Sequence, residues 1–76
     1  MTVSITWKDG TVDTAETADD ILALLASKQM DRDVDIRTAL AKRALYWGDV
    51  NIDPTDDALA ILEGLVAAGM LKSVEA

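Results

Sequence analysis

The chain has 76 residues and a net charge of −7, and half of its residues are apolar. We expect a chain of this length to form one globular domain, residues 1–76, whose small core supplies nearly all of its stability. The acidic balance argues against direct binding to DNA or RNA, because proteins that hold phosphate backbones are normally basic. The sequence has neither Cys nor His, which leaves out disulfides, thiolate nucleophiles and the usual zinc ligands and general bases.

Membrane and export signals are the next features to test. No segment reaches the ~18–20 consecutive apolar residues that a membrane span requires. The first ten residues, MTVSITWKDG, carry neither the basic start nor the apolar block of a signal peptide. We therefore expect a cytoplasmic protein with no membrane partner.

A β-hairpin is predicted at the start of the chain. Residues 3–7, VSITW, alternate apolar and polar types, and Asp9-Gly10 follows them at a point where the chain must turn. The odd-numbered residues of this strand share one face, and we expect Val12 of the second strand to join them there. Trp7 lies on the same face, which predicts a core position for its indole.

The first helix is predicted to begin at Thr17, whose hydroxyl can accept a hydrogen bond from the amide of Asp20. Asp19 and Asp20 lie in the first turn, where carboxylates complement the positive end of the helix dipole. Apolar residues at 21–25 form a wide stripe, and the helix continues to about Lys28.

The second helix is predicted to begin at Asp33 or Asp35 and to end at Gly48, with Gly48 as the left-handed cap. Arg37 is expected to form an ordinary ion pair with Asp33, one turn earlier. The apolar residues at helical spacing, which we expect to face the core, are Ile36, Leu40, Ala44 and Trp47.

The third helix is predicted to begin at Asp53-Pro54, with Asp53 as its cap and proline in its first turn. Asp56 and Asp57 then complement the helix dipole. Gly64 lies inside this helix, where it costs ~1 kcal/mol relative to Ala and therefore indicates a close helix crossing.

The fold class follows from the order of these elements. Gly69 ends the third helix, and residues 70–74, MLKSV, are typical of a short strand. The natural partner of this strand is an edge of the N-terminal hairpin, since an isolated two-stranded ribbon is marginally stable. We predict an α+β fold in which an N-terminal β-hairpin, three helices and a short C-terminal strand build a three-stranded sheet with the helices on one face.

A calcium loop is the one metal site that the residue spacing suggests. Oxygen-bearing side chains recur at every second position, at Asp49, Asn51, Asp53, Thr55 and Asp57. An EF-hand loop also needs Gly at its sixth position and Glu at its twelfth, where this chain has Pro54 and Ala60. A second count from Asp31 fails in the same way. We therefore favour a joint between two helices over a weak or non-standard ion site, and predict no metal, no cofactor and no catalytic residue.

Charged and aromatic residues of the second helix are the candidates for an interaction surface. Arg37, Lys42 and Arg43 form either a contact patch for an acidic partner or a solvated helix face, and the solvated face is favoured. Tyr46 points away from the apolar row and is the best candidate for an interface anchor. The candidate acidic contacts are Asp19, Asp20, Asp56 and Asp57.

Three phrases of the sequence carry a resemblance to a class of known proteins. ITWKDGTVDTA, AKRALYWGDVNIDP and LEGLVAAGML, in this order and spacing, resemble small proteins encoded by tailed phages of actinobacteria. The resemblance implies a phage or prophage origin, with the host cytoplasm as the location, and it transfers no functional residue. GLVAAGMLKSV after three helices is also similar to a winged helix. However, the third helix carries Asp56, Asp57 and Glu63 and no basic residue, which argues against DNA reading.

These observations favour a non-enzymatic module that binds a protein of the phage or of its host. The alternative is an acidic nucleic-acid mimic, in which Asp and Glu side chains stand in for phosphates and block a DNA- or RNA-binding protein of the host. The unpaired edges of the expected sheet also make a homodimer a candidate assembly.

Overall fold

A β-hairpin, three helices and a closing strand follow one another in the computed structural model, which describes residues 2–28 and 35–76. The elements are β1 (Val3–Trp7), β2 (Val12–Ala15), α1 (Ala18–Ser27), α2 (Ile36–Gly48), α3 (Ala58–Ala67) and β3 (Leu71–Glu75). The strands form one antiparallel sheet in the order β2-β1-β3. The α+β prediction is therefore confirmed, including the pairing of the last strand with the hairpin.

The hairpin loop sets the register of β1 and β2. It contains three residues, closed by hydrogen bonds from the Trp7 amide to the Thr11 carbonyl (2.8 Å) and from the Gly10 amide to the Trp7 carbonyl (3.0 Å). Gly10 has φ +93°, a conformation that glycine adopts without strain. This loop places Thr6 opposite Val12 and Ile5 opposite Asp13.

The predicted position of Val12 is consequently wrong. Residues that face each other across an antiparallel pair point to the same side of the sheet, so Val12 shares the open face with Thr6. Its side chain is 56% exposed, whereas Val3 and Ile5 on the other face are buried. Asp13 takes the place on the inner face that Val12 was expected to fill.

The core lies between the inner face of the sheet and the helices. Helix α3 packs on β3, α1 packs on β2, and α2 packs on α1 and α3, so α2 is the outermost helix. Aliphatic side chains fill the core, and those with the lowest exposure are Ile5, Ile21, Ile61, Leu62 and Leu65. Trp7 was expected in the core and is half-buried against its margin.

Two of the predicted helix ends are confirmed in detail. The Thr17 hydroxyl accepts from the Asp20 amide at 3.1 Å at the start of α1. Gly69, with φ +81°, follows the end of α3, and the Met70 amide donates back to the Leu65 carbonyl at 3.0 Å. This six-residue hydrogen bond is the Schellman arrangement, which satisfies carbonyls that the helix itself leaves unpaired.

The predicted start of α3 is wrong. Asp53 does not cap the helix; its carboxylate accepts from the amide (2.9 Å) and the hydroxyl (2.7 Å) of Thr55. A separate turn at residues 53–56 is closed by the Asp56 amide and the Asp53 carbonyl. The helix begins later, at Ala58, after Asp57. Aspartate stabilises such a turn as readily as it caps a helix, so the Asp-Pro pair did not distinguish the two.

The predicted role of Gly48 is also wrong. The left-handed residue at the end of α2 is Asp49, with φ +54°, and Gly48 belongs to the helix. Gly48 is needed for another reason: a Cβ at this position would lie 2.6 Å from the Cβ of Ala68 and would overlap the backbone of that residue. At Gly64 the close neighbour is the side chain of Ile52, so the predicted close approach exists but involves a loop instead of a helix.

Of the two predicted starts of α2, only one lies in the described part of the chain. The start at Asp35 is confirmed, since its carboxylate accepts from the Thr38 amide at 3.2 Å. Asp33, its expected ion pair with Arg37 and the acidic count from Asp31 fall outside residues 2–28 and 35–76. None of the helices in those two ranges is long and apolar enough to span a bilayer.

Candidate interaction surface

The outer side of α2 carries most of the exposed large apolar side chains in the described part of the chain. Leu45 is 53% exposed, Tyr46 80% and Trp47 73%. Tyr46 was expected at the surface, and its exposure confirms this. Trp47 was expected in the core, and this prediction is wrong.

The misplacement of Trp47 has a steric cause. Leu40 and Ala44 are buried against the neighbouring helices, and Gly48 continues their row with the spacing of one helical turn. The backbone of Ala68 lies directly against Gly48, so the last turn of α2 has no room on this side for an indole. Trp47 is therefore placed on the flank of α2 instead of its inner face.

Tyr46 and Trp47 form an ordered pair. Their ring centroids lie 5.0 Å apart and the ring planes meet at 82°, which is an edge-to-face arrangement. Such pairs are worth about 0.5–1.5 kcal/mol beyond the area that they bury. The two rings consequently restrict each other's rotamers at the surface.

Two basic side chains lie one turn before these aromatic residues. Lys42 and Arg43 are both exposed, and Arg43 precedes Trp47 by one helical turn. Neither forms an ion pair with another residue in the two described ranges. We define the α2 patch as Lys42, Arg43, Leu45, Tyr46 and Trp47, a surface that combines apolar rings with positive charge.

Arg37 has a different role from the other basic residues of α2. Its guanidinium donates to the carboxylate of Asp19 at 3.0 Å and to the backbone carbonyl of Asp56 at 2.7 Å. It therefore joins the start of α2 to the start of α1 and to the turn before α3. The sequence placed Arg37 together with Lys42 and Arg43, and the structure separates it from them.

The acidic candidates are distributed over two helix starts. Asp19 and Asp20 lie in the first turn of α1, while Asp56 and Asp57 precede α3, and all four are exposed. Arg37 brings only Asp19 and the Asp56 backbone together.

Two carboxylates in the acidic stretch between α2 and α3 accept hydrogen bonds, that of Asp53 from Thr55 and that of Asp56 from the Asp57 amide. Hydrogen bonds from the hydroxyl and the amide of Thr55 lower the pKa of Asp53. Within residues 2–28 and 35–76, no three acidic side chains come together as a ligand set for an ion.

A pocket of about 540 Å³ lies beside the start of α1. It is lined by Val3, Glu16, Thr17 and Leu59, among others. Glu16 is the one acidic side chain in this lining, which Ala76 at the end of the chain also borders.

A polar cluster at the margin of the core was not foreseen from the sequence. The Trp7 indole donates to the carboxylate of Asp13 at 2.6 Å, and the Lys28 ammonium approaches the same oxygen at 3.3 Å. Lys28 also lies 5.9 Å from the centroid of the Trp7 ring. The signal was present in the hairpin loop, because a loop of three residues puts Asp13 on the inner face.

This cluster predicts an acid-sensitive contribution to stability. The Trp7 hydrogen bond, and after it the Lys28 interactions, lower the pKa of Asp13 in the folded chain. A lowered pKa means that the stabilisation is present above the unfolded-state value of about 3.9 and is lost as the pH falls through the folded value. Asp13→Asn should therefore lose less unfolding free energy than the wild type between about pH 6 and pH 3.

Urea denaturation of both proteins at the two pH values measures this difference. Glu75→Gln, which removes an exposed carboxylate from the same sheet, is the matched control. If Asp13→Asn and the wild type lose the same unfolding free energy on acidification, the Trp7–Asp13–Lys28 cluster does not carry the effect.

Comparison with known proteins gave no match for this chain, whether to a family model, to a curated protein or to a solved structure.

Proposed function

We propose that this chain is a non-enzymatic protein–protein interaction module, encoded by a phage or prophage, that binds a phage or host protein through the α2 patch. The observation that carries the proposal is the exposure of Tyr46 and Trp47 as an ordered pair beside two basic side chains. Large apolar side chains grouped on a surface are typical of binding sites.

The residue types of the patch are those that dominate protein interfaces. Tyr, Trp and Arg are enriched among the residues whose truncation costs an interface the most. The edge-to-face contact already limits the rotation of both rings, so their ordering on binding costs less entropy than that of two independent side chains. Lys42 and Arg43 then favour a partner whose contact surface is apolar with an acidic rim.

Site-specific photocrosslinking tests the proposal directly. A benzophenone amino acid replaces Tyr46 in one variant and Lys72 in another, and each is expressed in an actinobacterial host that is then irradiated. Lys72 is also exposed but lies on β3, away from α2. We expect a discrete heterologous adduct from position 46 that is absent from position 72.

The same experiment also defines the results that would contradict the proposal. Addition of Trp47→Ala and Arg43→Ala to the position-46 variant should remove the adduct, because the side chains that flank the probe form the rest of the surface. Equal adducts from positions 46 and 72, or an adduct that survives both flanking substitutions, would exclude the α2 patch as the contact surface.

The nucleic-acid mimic receives less support from the geometry. A mimic needs a row of carboxylates that presents continuous negative charge to a basic groove. Arg37 lies between the start of α1 and the turn before α3, and its guanidinium offsets charge where the acidic residues come closest. Loss of binding on neutralising Asp20 and Asp57, with no effect of Tyr46→Ala, would favour the mimic over the α2 patch.

A further inference from the structure

We infer that the outer side of α2, which shares Lys42, Leu45 and Tyr46 with the α2 patch, binds a second copy of this chain, through an antiparallel pair of α2 helices related by a two-fold axis. This inference rests on the interaction surface proposed above and concerns its regulation. A copy seated on the patch covers the residues that a foreign partner would contact, so self-association and partner binding exclude each other.

The outer stripe of α2 has the spacing that a helix pair requires. Starting from Lys42, the next positions on this side of α2 are three and four residues further along, and Asp49 follows the last turn of the helix as its left-handed cap. The stripe consists of Lys42, Leu45 and Tyr46 with Asp49 at its C-terminal end, and all four residues are exposed.

The order of residue types on this stripe is self-complementary. A positive charge stands at one end, a negative charge at the other, and two apolar side chains lie between them. When a two-fold axis passes between Leu45 and Tyr46, each Lys42 faces Asp49 of the second copy. Leu45 and Tyr46 of both copies then meet at the axis. A parallel pair would oppose like charges, so the charges select the antiparallel arrangement.

The second copy is favoured over an unrelated acidic segment because of the position of Asp49. The patch contains two basic residues, and a purely acidic partner would meet Asp49 at the far end of the stripe as a like charge. Asp49 is exposed and has no ion pair within the described residues, while Lys42 shares both properties. Antiparallel pairing of two identical stripes gives both side chains an opposite charge.

The expected dimer is weak and depends on concentration. Two turns of one helix form a smaller contact than the ~1,200–2,000 Å² of a standard stable interface. Each copy carries a net charge of −7, so the two bodies repel over distances that salt screens. A dimer of this kind dissociates when a foreign partner offers more contact area. Self-association can therefore block the surface reversibly.

Reciprocal charge reversal tests the arrangement. Sedimentation equilibrium over a range of concentrations, in about 0.15 M salt, compares the wild type with Lys42→Glu and with Asp49→Lys. Each single variant should dimerise on the order of tenfold more weakly than the wild type, since both symmetry-related pairs become repulsive. An equimolar mixture should form heterodimers about as well as the wild type forms homodimers, because both pairs in the mixture are again of opposite charge.

Lys72→Glu is the matched control for total charge. It changes the net charge by the same amount as Lys42→Glu, but Lys72 is an exposed residue of β3, away from α2, so it should weaken the dimer much less. Asp49 has a positive φ that lysine adopts less readily than aspartate, so helical circular dichroism of each variant confirms folding. Tyr46→Ala leaves the backbone at Asp49 unchanged, and it should leave the chain monomeric.

The outcomes separate this inference from the proposed function. A wild type that stays monomeric at every concentration, or two variants whose mixture is no better than either alone, overturns the dimer whatever the photocrosslinking shows. A dimer that follows the charge rules without any heterologous adduct at position 46 supports the dimer and contradicts the proposed function.

Discussion

Gly48→Ala should lower the free energy of unfolding by about 2–3 kcal/mol, the upper part of the range for overpacking a well-filled site. A Cβ at position 48 would overlap the backbone of Ala68, which forms the cap of α3. A backbone cannot rotate out of the way as a side chain can, so α2 and the end of α3 must move apart. Urea denaturation followed by circular dichroism measures the loss.

Gly64→Ala is the matched control, because both substitutions add one methyl group to a helical glycine. At Gly64 the added Cβ meets the Cγ1 and Cδ1 atoms of Ile52 at 2.8 Å, which belong to a side chain that can adjust. Alanine is also favoured over glycine inside a helix by about 1 kcal/mol, which offsets part of the cost. Equal losses for the two variants would show that the Ala68 backbone does not constrain position 48.

The contrast between these glycines explains part of what the sequence could predict. Gly10 and Gly69 were recognised because turn and helix-end chemistry is local, and the structure gives both of them a positive φ. The requirement at Gly48 arises from contact with Ala68, twenty positions later in the sequence. A local pattern cannot contain such a contact, so Gly48 was assigned the left-handed role that Asp49 takes.

The element order was predictable for the same physical reason. The strand alternation in β1 and the helical stripe of α1 are local signals. The hairpin was the one predicted element with strand edges, so it was the natural partner for β3. A change of one residue in the length of the loop shifts the register of the hairpin by one position. This shift exchanges Val12 and Asp13 between the two faces of the sheet. The Trp7–Asp13–Lys28 cluster was missed as a consequence.

The candidate surface was predictable only in part. The helical spacing placed Tyr46 outside correctly, since it lies on the side opposite the buried Ala44. For Trp47 the hydrophobic pattern suggested burial, because an apolar residue three positions after a core residue normally joins the core face. The close packing of Gly48 against Ala68 closed that face, and no local signal announces such packing.

Leu62→Ala should have the largest effect on stability, a loss of about 2–5 kcal/mol. Leu62 is fully buried in α3, among the aliphatic side chains that join the helices to the sheet. Its truncation removes buried methyl groups and leaves a cavity that the surrounding elements fill only in part. A domain of this size is stable by only about 4–11 kcal/mol, so the variant should be substantially unfolded in modest urea.

Trp47→Ala, in the neighbouring helix α2, should lower the free energy of unfolding far less than Leu62→Ala. It removes a larger side chain than Leu62→Ala, yet Trp47 is mostly exposed and its main described contact is the ring of Tyr46. We expect a loss of at most about 1 kcal/mol in the same urea titration, because the edge-to-face contact is worth about 0.5–1.5 kcal/mol and the better helix propensity of alanine offsets part of it. A loss as large as that of Leu62→Ala would mean that Trp47 packs into the core and that the α2 patch does not exist as described. A small change combined with loss of the position-46 adduct would separate the two uses of apolar side chains here: aliphatic residues hold the fold, and the aromatic pair serves contact with another protein.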